Sequence, residues 1–588
     1  MKPPRKDKKL LLVLLSSLLL IATTIAIAVG IRSRHGDNDR PKLSPATHTI
    51  LKSSCSSTRY PDLCYNAIAS APSHMVQKIS SQKDVIELSL NLTTTVVEHN
   101  FFTVEKLIKT RSHNLTLRER NALHDCLETI DDTLDELRQA IQDLENYPSN
   151  SNNNNENNNK KTKPSYKSLK DYADDIKTLV SSAITNQETC LDGFSHDDAD
   201  RHVRAALERG QVHVDKMCCN ALAMIKNLTD ADIMAATTEA SKDDHVSKRR
   251  LYDEDGWPRW MSSGDRRMLQ QGPTKPDAVV AADGSGDHRT INEAVEAAPM
   301  KSKKRYVILI KAGVYKENVV VHKHKMNLMF VGEGRSKTII TGSKNVVDGS
   351  TTYDSATVAI VGEGFLARDL TFQNTAGPSK HQAVALRVGA DLSAFYQCDI
   401  LAYQDTLYVH HNRQFFINCL IAGTVDFIFG NAAVVFQDCD IHARKPGPSQ
   451  KNMVTAQSRS DPNQNTGIVI QKSRIGATVD LQSAKGSFET YLGRPWKEYS
   501  RTVIMQSIIS DVVHPKGWHE WDGNFGLHTL YYAEYKNTGP GASTSSRAQW
   551  KGVKVITDPT EARQFSPREF IVADNWLPST SFPYSLDL

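Results

Sequence analysis

The chain has 588 residues, too many for one ordinary domain, and its 39% hydrophobic and 23% charged composition is typical of soluble globular proteins. The formal net charge is only +4, and the whole excess lies from Gln271 onward, where 34 Lys and Arg stand against 30 Asp and Glu, leaving 37 of each before it. So mild an excess suits an anionic partner but is usually only a solubility feature, and no nucleic-acid partner is predicted.

Residues 1–45 begin with the basic stretch MKPPRKDKKL and continue with the uncharged segment Leu10–Ile31. Its 22 residues can span a bilayer as a helix, and this length favours a signal-anchor over a cleaved signal peptide. The basic flank would stay cytosolic and send the rest of the chain into the secretory lumen. Sequons at Asn91, Asn114 and Asn227 fit that route and are predicted glycosylation sites.

Residues 46–240 are predicted to form an all-α four-helix bundle. In CLETIDDTLDELRQAIQDLEN the apolar residues recur in steps of three and four, which is typical of an amphipathic helix packed in a bundle. SLKDYADDIKTLVSSAI repeats the pattern, and the intervening SNSNNNNENNNKKTK is predicted to be a polar loop. Four cysteines here are candidates for disulfides within the bundle, with their pairing left open by the sequence: Cys55, Cys64, Cys126 and Cys190.

Residues 241–270 are predicted to be a linker, because the segment is rich in Gly, Pro and charge. It carries two dibasic sites followed by apolar residues, Arg249-Arg250 and Arg266-Arg267. In a lumenal linker these are candidate cleavage sites for a subtilisin-like processing protease; the alternative is an exposed basic linker.

Residues 271–588 change to β-branched runs bounded by Gly and Asn, such as RYVILIKAGVY and TVAIVGEGFLARDLTFQN. Three related segments, FYQCDI, FINCLI and FQDCDI, place Cys398, Cys419 and Cys439 at intervals of 21 and 20 residues. A constant period of short strands predicts a solenoid, here a parallel β-helix, in which equivalent positions stack about 4.8 Å apart.

Two carboxylates share one position of this repeat, because Asp405 follows Cys398 by seven residues and Asp426 follows Cys419 by seven. Their backbones are therefore predicted to lie about 5 Å apart in adjacent coils. Gln404 and, about one coil earlier, Gln382 extend this polar ladder. Two such close acids cannot both ionise easily, so one becomes a general acid and the other a base or nucleophile.

Three interpretations of the ladder remain open on spacing alone. Stacked polar residues also stabilise solenoids without catalysis, and a carboxylate pair about 5 Å apart also fits a retaining glycoside hydrolase. The uncharged amide donors of the two glutamines favour a reaction that forms an oxyanion at a carbonyl carbon.

The segments HQAVALRVGADLSAFYQCDILAYQDTLY, GTVDFIFGNAAVVFQDCDI and YLGRPWKEYSRTV closely resemble the plant pectin methylesterases. The likeness covers essentially all of residues 277–588, and the helical region, with its four cysteines, resembles the pectin methylesterase inhibitor domain. The resemblance implies a right-handed parallel β-helix that removes methyl esters from homogalacturonan without cofactor or metal. It also implies a precursor of the inhibitor-plus-enzyme form, in which the N-terminal domain either inhibits its own enzyme or serves as a pro-region for folding and retention.

The resemblance also implies roles for individual residues. Asp426 matches the family nucleophile and Asp405 the general acid that protonates methanol and then activates water. Gln404 and Gln382 match the residues that stabilise the oxyanion, and Arg494 matches the cation beside the nucleophile. Trp496 and Thr352 match substrate contacts, while Tyr408, Phe429 and Trp518 are candidate groove aromatics or ordinary core residues.

Further expectations concern cysteines, histidines and location. A Cys419–Cys439 disulfide is predicted in preference to a thiol ladder that includes Cys398, and the adjacent Cys218-Cys219 departs from the family pattern and leaves a spare thiol. His410 and His411 lack ligand-spaced partners, so no metal site is predicted. The expected mature protein is a monomer in the cell wall that acts on methylesterified pectin and binds proteinaceous pectin methylesterase inhibitors.

Two other functions compete with the esterase: a glycosidase or lyase on the same solenoid, and a regulator with a solenoid that only binds pectin. Release of methanol rather than of new reducing ends separates the first alternative. The complete set of glutamines, aspartates and arginine argues against the second.

Overall fold

The computed structural model of the protein describes residues 43–148, 168–196, 199–240, 276–484 and 486–588. The predicted membrane segment Leu10–Ile31 and the two dibasic sites lie outside these residues. Among the helices of the described part, none is both long enough and apolar enough to cross a membrane.

The N-terminal part is helical. A small cap of three short helices precedes four long ones: α1 Pro45–Ser56, α2 Pro61–Ala69, α3 Ser73–Val76, α4 Gln82–Arg111, α5 Leu117–Asn146, α6 Leu169–Asp192 and α7 Arg201–Ala240. The four long helices form the predicted four-helix bundle, in which α4 packs on α5 and α7, and α6 packs on α5 and α7. Their facing apolar residues make one buried core of their own.

Local sequence signals explain where the two central helices of this bundle begin. Thr116 accepts a hydrogen bond from the Glu119 backbone while the Glu119 carboxylate reaches back to the N–H of Thr116, which is a complete capping box. Ser168 and Asp171 form the same arrangement at the start of α6. Disulfides Cys55–Cys64 and Cys126–Cys190 then tie α1 to α2 and α5 to α6.

The C-terminal part is a parallel β-helix of three sheets, in which every strand pair named below is parallel. The first, called the cleft sheet here, contains β4 Val319–Val321, β7 Val358–Ile360, β10 Leu386–Val388, β13 Leu407–Val409, β16 Ile428–Gly430, β19 Asn452–Gln457 and β22 Thr490–Pro495. The second contains β1 Ala278–Val280, β2 Tyr306–Ile310, β5 Leu328–Gly332, β8 Leu366–Arg368, β11 Ser393–Tyr396, β14 Arg413–Ile417, β17 Ala433–Gln437, β20 Gly467–Gln471, β23 Arg501–Met505, β25 Tyr531–Tyr535 and β26 Val553–Val555. The third contains β3 Gly313–Lys316, β6 Thr338–Gly342, β9 Thr371–Asn374, β12 Asp399–Leu401, β15 Leu420–Gly423, β18 Asp440–Ala443, β21 Arg474–Ala477 and β24 Ile508–Ile509.

The β-helix is filled and closed by apolar residues. Phe395, Phe416 and Phe436 stack along its axis, with ring centroids 4.5 and 4.9 Å apart. Helix α8 (Ile291–Ala297) buries an apolar side chain in each turn at one end. Short helices follow the last strand, α10 (Pro559–Arg563) and α11 (Pro567–Phe570), and an aromatic cluster around Trp576 packs on the outer face of the second sheet. Helix α9 (Val479–Ser483) lies in a connection after β21.

The turn between the second and third sheets corrects one prediction. Cys398, Cys419 and Cys439 are buried free thiols, so the predicted Cys419–Cys439 disulfide does not form. The Cys419 thiol donates to the carbonyls of Phe395 and Ile417, both 3.4 Å away.

The next coils place Ser473 and Ser507 at the same position, and each hydroxyl donates to two carbonyls in the same way. The position therefore requires a small hydrogen-bond donor to the turn rather than a cross-link. The Cys398 N–H donates in turn to the Cys419 sulfur at 3.5 Å, so this sulfur is held by hydrogen bonds of the turn.

Candidate active site

The floor of the site is a row of side chains on the outer face of the cleft sheet. Strand register aligns one residue from each of seven consecutive strands: Val320, Ala359, Arg387, Tyr408, Phe429, Ala456 and Arg494. Parallel strands lie about 4.8 Å apart, so this row is a shallow track of about 29 Å along the solenoid axis. Arg387 is the third residue of the row and Arg494 the last, with Tyr408, Phe429 and Ala456 between them.

The two predicted acids lie beside this row in equivalent positions. Leu407 pairs with Ile428, which places Asp405 and Asp426 two residues before their strands in adjacent coils, as the 21-residue spacing predicts. Both residues adopt left-handed backbone angles, with φ of 60° and 50°. Such angles cost about 1–2 kcal/mol for a residue with a Cβ atom, and they turn both carboxyl groups out of the strand path into one cavity.

Asp426 is fixed by a double hydrogen bond from Arg494. The guanidinium Nε and Nη2 donate to its two carboxylate oxygens at 2.8 and 2.6 Å. Only 8% of the Asp426 side chain is exposed, so this pair is largely shielded from water. The ring of Trp521 lies 4.3 Å from the guanidinium carbon on its other side and confines the arginine to this geometry.

Asp405 has a different environment, although it occupies the equivalent position one coil earlier. Burial raises the pKa of its carboxyl well above the usual range, the neighbouring charge of Asp426 raises it further, and Arg494 only partly opposes this. The pair is therefore divided into one protonated acid, Asp405, and one arginine-bound carboxylate, Asp426. This is the distribution that acid–base catalysis requires.

The predicted polar residues Gln404, Gln382 and Thr352 line the same cavity of about 280 Å³. The register is one residue off the predicted ladder, because Leu386 pairs with Leu407 and so Gln404 aligns with Ala383. Gln382 lies next to Ala383 and still lines the cavity with the two aspartates. The site thus combines two carboxyls, two amides, a hydroxyl and a guanidinium.

Three of the predicted aromatic residues line the cleft, and one does not. Tyr408 stacks on Phe429 with ring centroids 4.3 Å apart, and Trp496 follows at 5.9 Å from Phe429. Trp518 is only 1% exposed and packs against Tyr532 inside the solenoid, so its candidate role in the groove is wrong. Trp521, three residues later, stacks near Trp496 and takes that place in the cleft.

Two further aromatic residues of the β-helix, Trp521 and Tyr353, line the cleft but were not among the predicted site residues. The sequence GWHEW contains both Trp518 and Trp521. Which of the two rings enters the core and which lines the cleft depends on the course of the loop backbone, which the sequence pattern does not reveal. Tyr353 lies in an irregular segment with no periodic signal, and its ring packs edge-on against His410 at 5.4 Å.

His410 and His411 are buried beside the cleft. Burial lowers the pKa of His410 well below its ordinary value, as does the adjacent His411, and His410 Nε2 bonds the hydroxyl of Thr189 at 2.8 Å. In the described ranges, no group of three His, Cys, Asp or Glu side chains is placed to hold a metal ion.

The helical bundle lies directly over this site. Arg118 and Asp125 of α5, Thr189 and Asp192 of α6, and Ser195 just after α6 form the opposite wall of the cavity that contains Asp405 and Asp426. The contact is polar and specific. Asn412, Asn431 and Gln464 of the β-helix bond Ser182, Thr185 and the Ser181 carbonyl of α6 at 2.7–3.0 Å.

Ion pairs surround the same contact. Lys497, next to Trp496, binds Glu188 at 2.5 Å and Asp192 at 3.2 Å. Lys323 binds Asp135 of α5 at 2.7 Å, and Arg413 binds Asp175 of α6 at 2.7 Å. From the short helical cap, Arg59 donates to the Ser460 carbonyl at 2.9 Å and to Glu498 at 3.1 Å.

The comparisons with known proteins agree with this architecture. A model of the pectinesterase family matches residues 277–574, and one described as plant invertase/pectin methylesterase inhibitor matches residues 49–224. The chain is 64% identical over 589 residues to Pectinesterase 1 of Citrus sinensis, covering 100% of this chain and 96% of the relative.

The chain belongs to the pectinesterase family.

Other pectinesterases share both parts or one of them. The chain is 61% identical over 603 residues to pectinesterase/pectinesterase inhibitor 3 of Arabidopsis thaliana, covering 99% of this chain and 98% of that one. The solved structure of pectin methylesterase from carrot is 73% identical and superposes with a TM-score of 0.54, covering 54% of this chain and 100% of the carrot chain. The carrot structure therefore corresponds to the β-helix alone.

The remaining predicted sites are placed as follows. Asn114 and Asn227 are exposed, whereas Asn91 is half-buried and its amide donates to the Glu87 carbonyl at 2.9 Å. Glycosylation of these residues stays a prediction. Cys218 and Cys219 are buried free thiols within α7.

Proposed function

We propose that the β-helix hydrolyses methyl esters of homogalacturonan through an acyl-enzyme on Asp426. The observation that carries this proposal is the contrast between the arginine-bound carboxylate of Asp426 and the proton-holding carboxyl of Asp405 in one cleft. Amide donors from Gln404 and Gln382 beside this pair suit a tetrahedral oxyanion at an ester carbonyl.

In the first half-reaction, an oxygen of the Asp426 carboxylate attacks the ester carbonyl carbon. The carbonyl oxygen becomes an oxyanion, which the glutamine amides stabilise by donating hydrogen bonds. The intermediate collapses by breaking the bond to the methoxy oxygen, which takes the proton of Asp405 and leaves as methanol. The galacturonate is then joined to Asp426 as a mixed anhydride, and Asp405 is ionised.

In the second half-reaction, Asp405 takes a proton from a water molecule that attacks the anhydride carbonyl. The second oxyanion collapses, the bond to Asp426 breaks, and the product leaves as galacturonic acid, which carries the second hydrogen of the water and loses it to solvent as a proton. Asp426 is again ionised and Asp405 again protonated, so atoms and charges balance over the cycle. Arg494 holds the nucleophile in line throughout, because its double hydrogen bond fixes the carboxylate plane.

We also propose that the helical bundle inhibits the enzyme to which it is joined. It supplies one wall of the catalytic cavity, and a polymer cannot lie along the floor row while α5 and α6 cover it. Cleavage at one of the dibasic sites after secretion would let the bundle leave, and the mature enzyme would act on cell-wall pectin.

The test compares methanol release from highly methylated pectin by residues 271–588 and by the Asp426→Asn variant. The wild-type fragment should release methanol without new reducing ends, and the substitution should lower the rate at least about 1,000-fold, because the amide cannot act as the nucleophile. Asp438→Asn is the matched control, since Asp438 also has a positive φ of 54° but lies in the turn between β17 and β18, away from the cavity. Methanol release by a folded Asp426→Asn variant at the wild-type rate would refute the assigned nucleophile.

A further inference from the structure

One inward-facing position of the β-helix changes from apolar to charged at strand β25. Strand register aligns this position in five consecutive strands of the second sheet, where it is occupied in chain order by Phe416, Phe436, Ile470, Ile504 and Glu534. All five side chains are buried. A buried carboxylate in such an apolar row is unfavourable unless another group compensates its charge and accepts its hydrogen bonds.

Arg547 supplies the compensating charge. Its Nε and Nη2 donate to the two carboxylate oxygens of Glu534 at 2.7 and 3.1 Å, and the two side chains are only 2% and 4% exposed. Further donors of the same guanidinium bind backbone carbonyls, since Nη1 donates to Pro515 at 3.0 Å and Nη2 to Gly541 at 2.8 Å. The ion pair therefore joins the interior of the solenoid to two loops outside it.

The first of these loops, residues 513–521, is called the tryptophan loop here. Its backbone lies along β22, the strand that carries Arg494. The N–H of His519 donates to the Gly493 carbonyl at 3.0 Å. The loop thus extends the cleft sheet beyond β22 by one short segment, and Arg547 holds that segment from the side opposite to the cleft.

The two tryptophans of this loop face opposite ways. Trp518 points into the solenoid, where its ring lies 4.4 Å from that of Tyr532. Trp521 lies in the cleft, with its ring centre 4.3 Å from the guanidinium carbon of Arg494. Since Arg494 binds the Asp426 carboxylate on its other side, a displacement of the loop would displace the nucleophile as well.

We propose that the buried pair of Glu534 and Arg547 is a positioning device for the nucleophile, which acts through the tryptophan loop and the ring of Trp521. Neither member of the pair lines the cavity of the two aspartates, so the effect on the reaction is indirect. This inference rests on the proposed function, because it assumes that Asp426 attacks the ester. A buried ion pair adds little net stability over apolar residues of similar volume, so its role here is geometric.

The experiment uses residues 271–588, the part that corresponds to the separately solved carrot chain. Glu534→Leu combined with Arg547→Met removes both charges and keeps the interior filled, so the melting temperature should stay near the wild-type value. In methanol release from highly methylated pectin, kcat should fall about 10- to 100-fold and KM should stay within about twofold of wild type. The reason is that the nucleophile is misplaced while the substrate contacts remain.

Variants of Trp521 test the route of this effect. Trp521→Leu should lower kcat by a similar factor, and Trp521→Phe should restore most of it, because a phenyl ring can still face the guanidinium. Adding Trp521→Leu to the variant without the ion pair should lower kcat by less than about twofold more, because both changes act on one contact. Effects that multiply would contradict an action through this ring.

Arg335→Met is the matched control. Arg335 also joins a carboxylate, that of Asp399 at 3.1 Å, to a backbone carbonyl, that of Asn418 at 3.2 Å, but it does so beside the third sheet. Its replacement should change neither kcat nor KM. If the variant without the ion pair does not fold, Arg547→Lys takes its place, because it keeps the charge and loses the fork of donors.

Absence of methanol release by the wild-type fragment would refute the esterase, and this inference with it. A wild-type kcat in a folded variant without the ion pair, even at a lower melting temperature, would overturn the positioning role alone. A raised KM with unchanged kcat in Trp521→Leu would also overturn it, because the ring would then bind substrate instead of holding Arg494.

Discussion

The helical bundle and the β-helix are stabilised in different ways. The helical part has one disulfide between two of its four long helices and one in its short cap. The β-helix instead repeats one turn and stacks equivalent residues, with no cross-link between its described cysteines. In the bundle each helix reveals its buried face through its own periodicity. In the solenoid a residue acquires its role from the residues one coil before and after it.

The largest expected effect on stability comes from removing the covalent cross-link of the bundle. Cys126→Ala combined with Cys190→Ala opens a bridge that spans 64 residues and should lower the free energy of unfolding of the bundle by about 4 kcal/mol. The measurement is chemical denaturation of the full chain followed by far-ultraviolet circular dichroism at the helical bands. The β-helix transition should keep its midpoint; equal shifts of both transitions would show that the two halves unfold as one unit.

The next effect concerns the contact between the halves. Glu188→Lys with Asp192→Lys places like charges opposite Lys497 and should raise methanol release by the uncleaved chain about tenfold or more, because the bundle no longer binds the cleft rim. Glu105→Lys is the control, since Glu105 pairs only with Lys109 on the exposed side of α4 among the salt bridges of the described residues. No increase, together with a fully active uncleaved wild type, would contradict inhibition by the bundle.

The contact should also weaken as the pH rises. Burial is the main reason that the pKa of Asp125 rises to about 8 and that of Asp132 to about 7 in the assembled chain. Around Asp125 stand Glu128, Asp354 and Arg387, and around Asp132 stand Lys323, Asp131 and Glu128. Such a carboxyl is protonated in the contact but ionised when exposed, so the bundle takes up a proton when it binds the β-helix. Binding is therefore favoured at low pH, and this contribution is lost between about pH 4 and 8.

The activity ratio of uncleaved chain to free fragment tests this pH dependence, because the ratio cancels the pH profile of the active site. It should rise at least about tenfold from pH 5 to pH 8. Asp125→Asn keeps a neutral partner for Thr351 and should flatten the slope. A ratio that is constant with pH in the wild type would contradict the expected proton uptake.

The smallest effect is expected at the thiol ladder. Cys419→Ser should change the free energy of unfolding of the β-helix by at most about 1 kcal/mol, because serine already fills the equivalent positions 473 and 507 with the same hydrogen bonds. Alkylation with mass spectrometry should find the thiols of Cys398, Cys419 and Cys439 free after unfolding. A bridged Cys419–Cys439 peptide would contradict the ladder.

Particular residues show where sequence reasoning sufficed. The 21-residue interval predicted that Asp405 and Asp426 are neighbours, because parallel stacking converts a repeat length into a distance. The same reasoning failed for the cysteines, since stacked thiols that lie close together remain free and bond to carbonyls of the turn. It also failed for Trp518 and Trp521, which lie three residues apart in one loop, one in the core and one in the cleft.

The sequence by itself determined the two classes of fold, the family and the stacked acids, because periodicity and repeat length act along the chain and need no knowledge of distant contacts. Only the tertiary structure decided that Arg494 fixes Asp426 and that Asp405 is buried enough to keep its proton. It alone placed the acids of α5 and α6 on Arg387 and Lys497. Such contacts join residues more than 60 positions apart, and their energies depend on burial and direction, which local pattern does not encode.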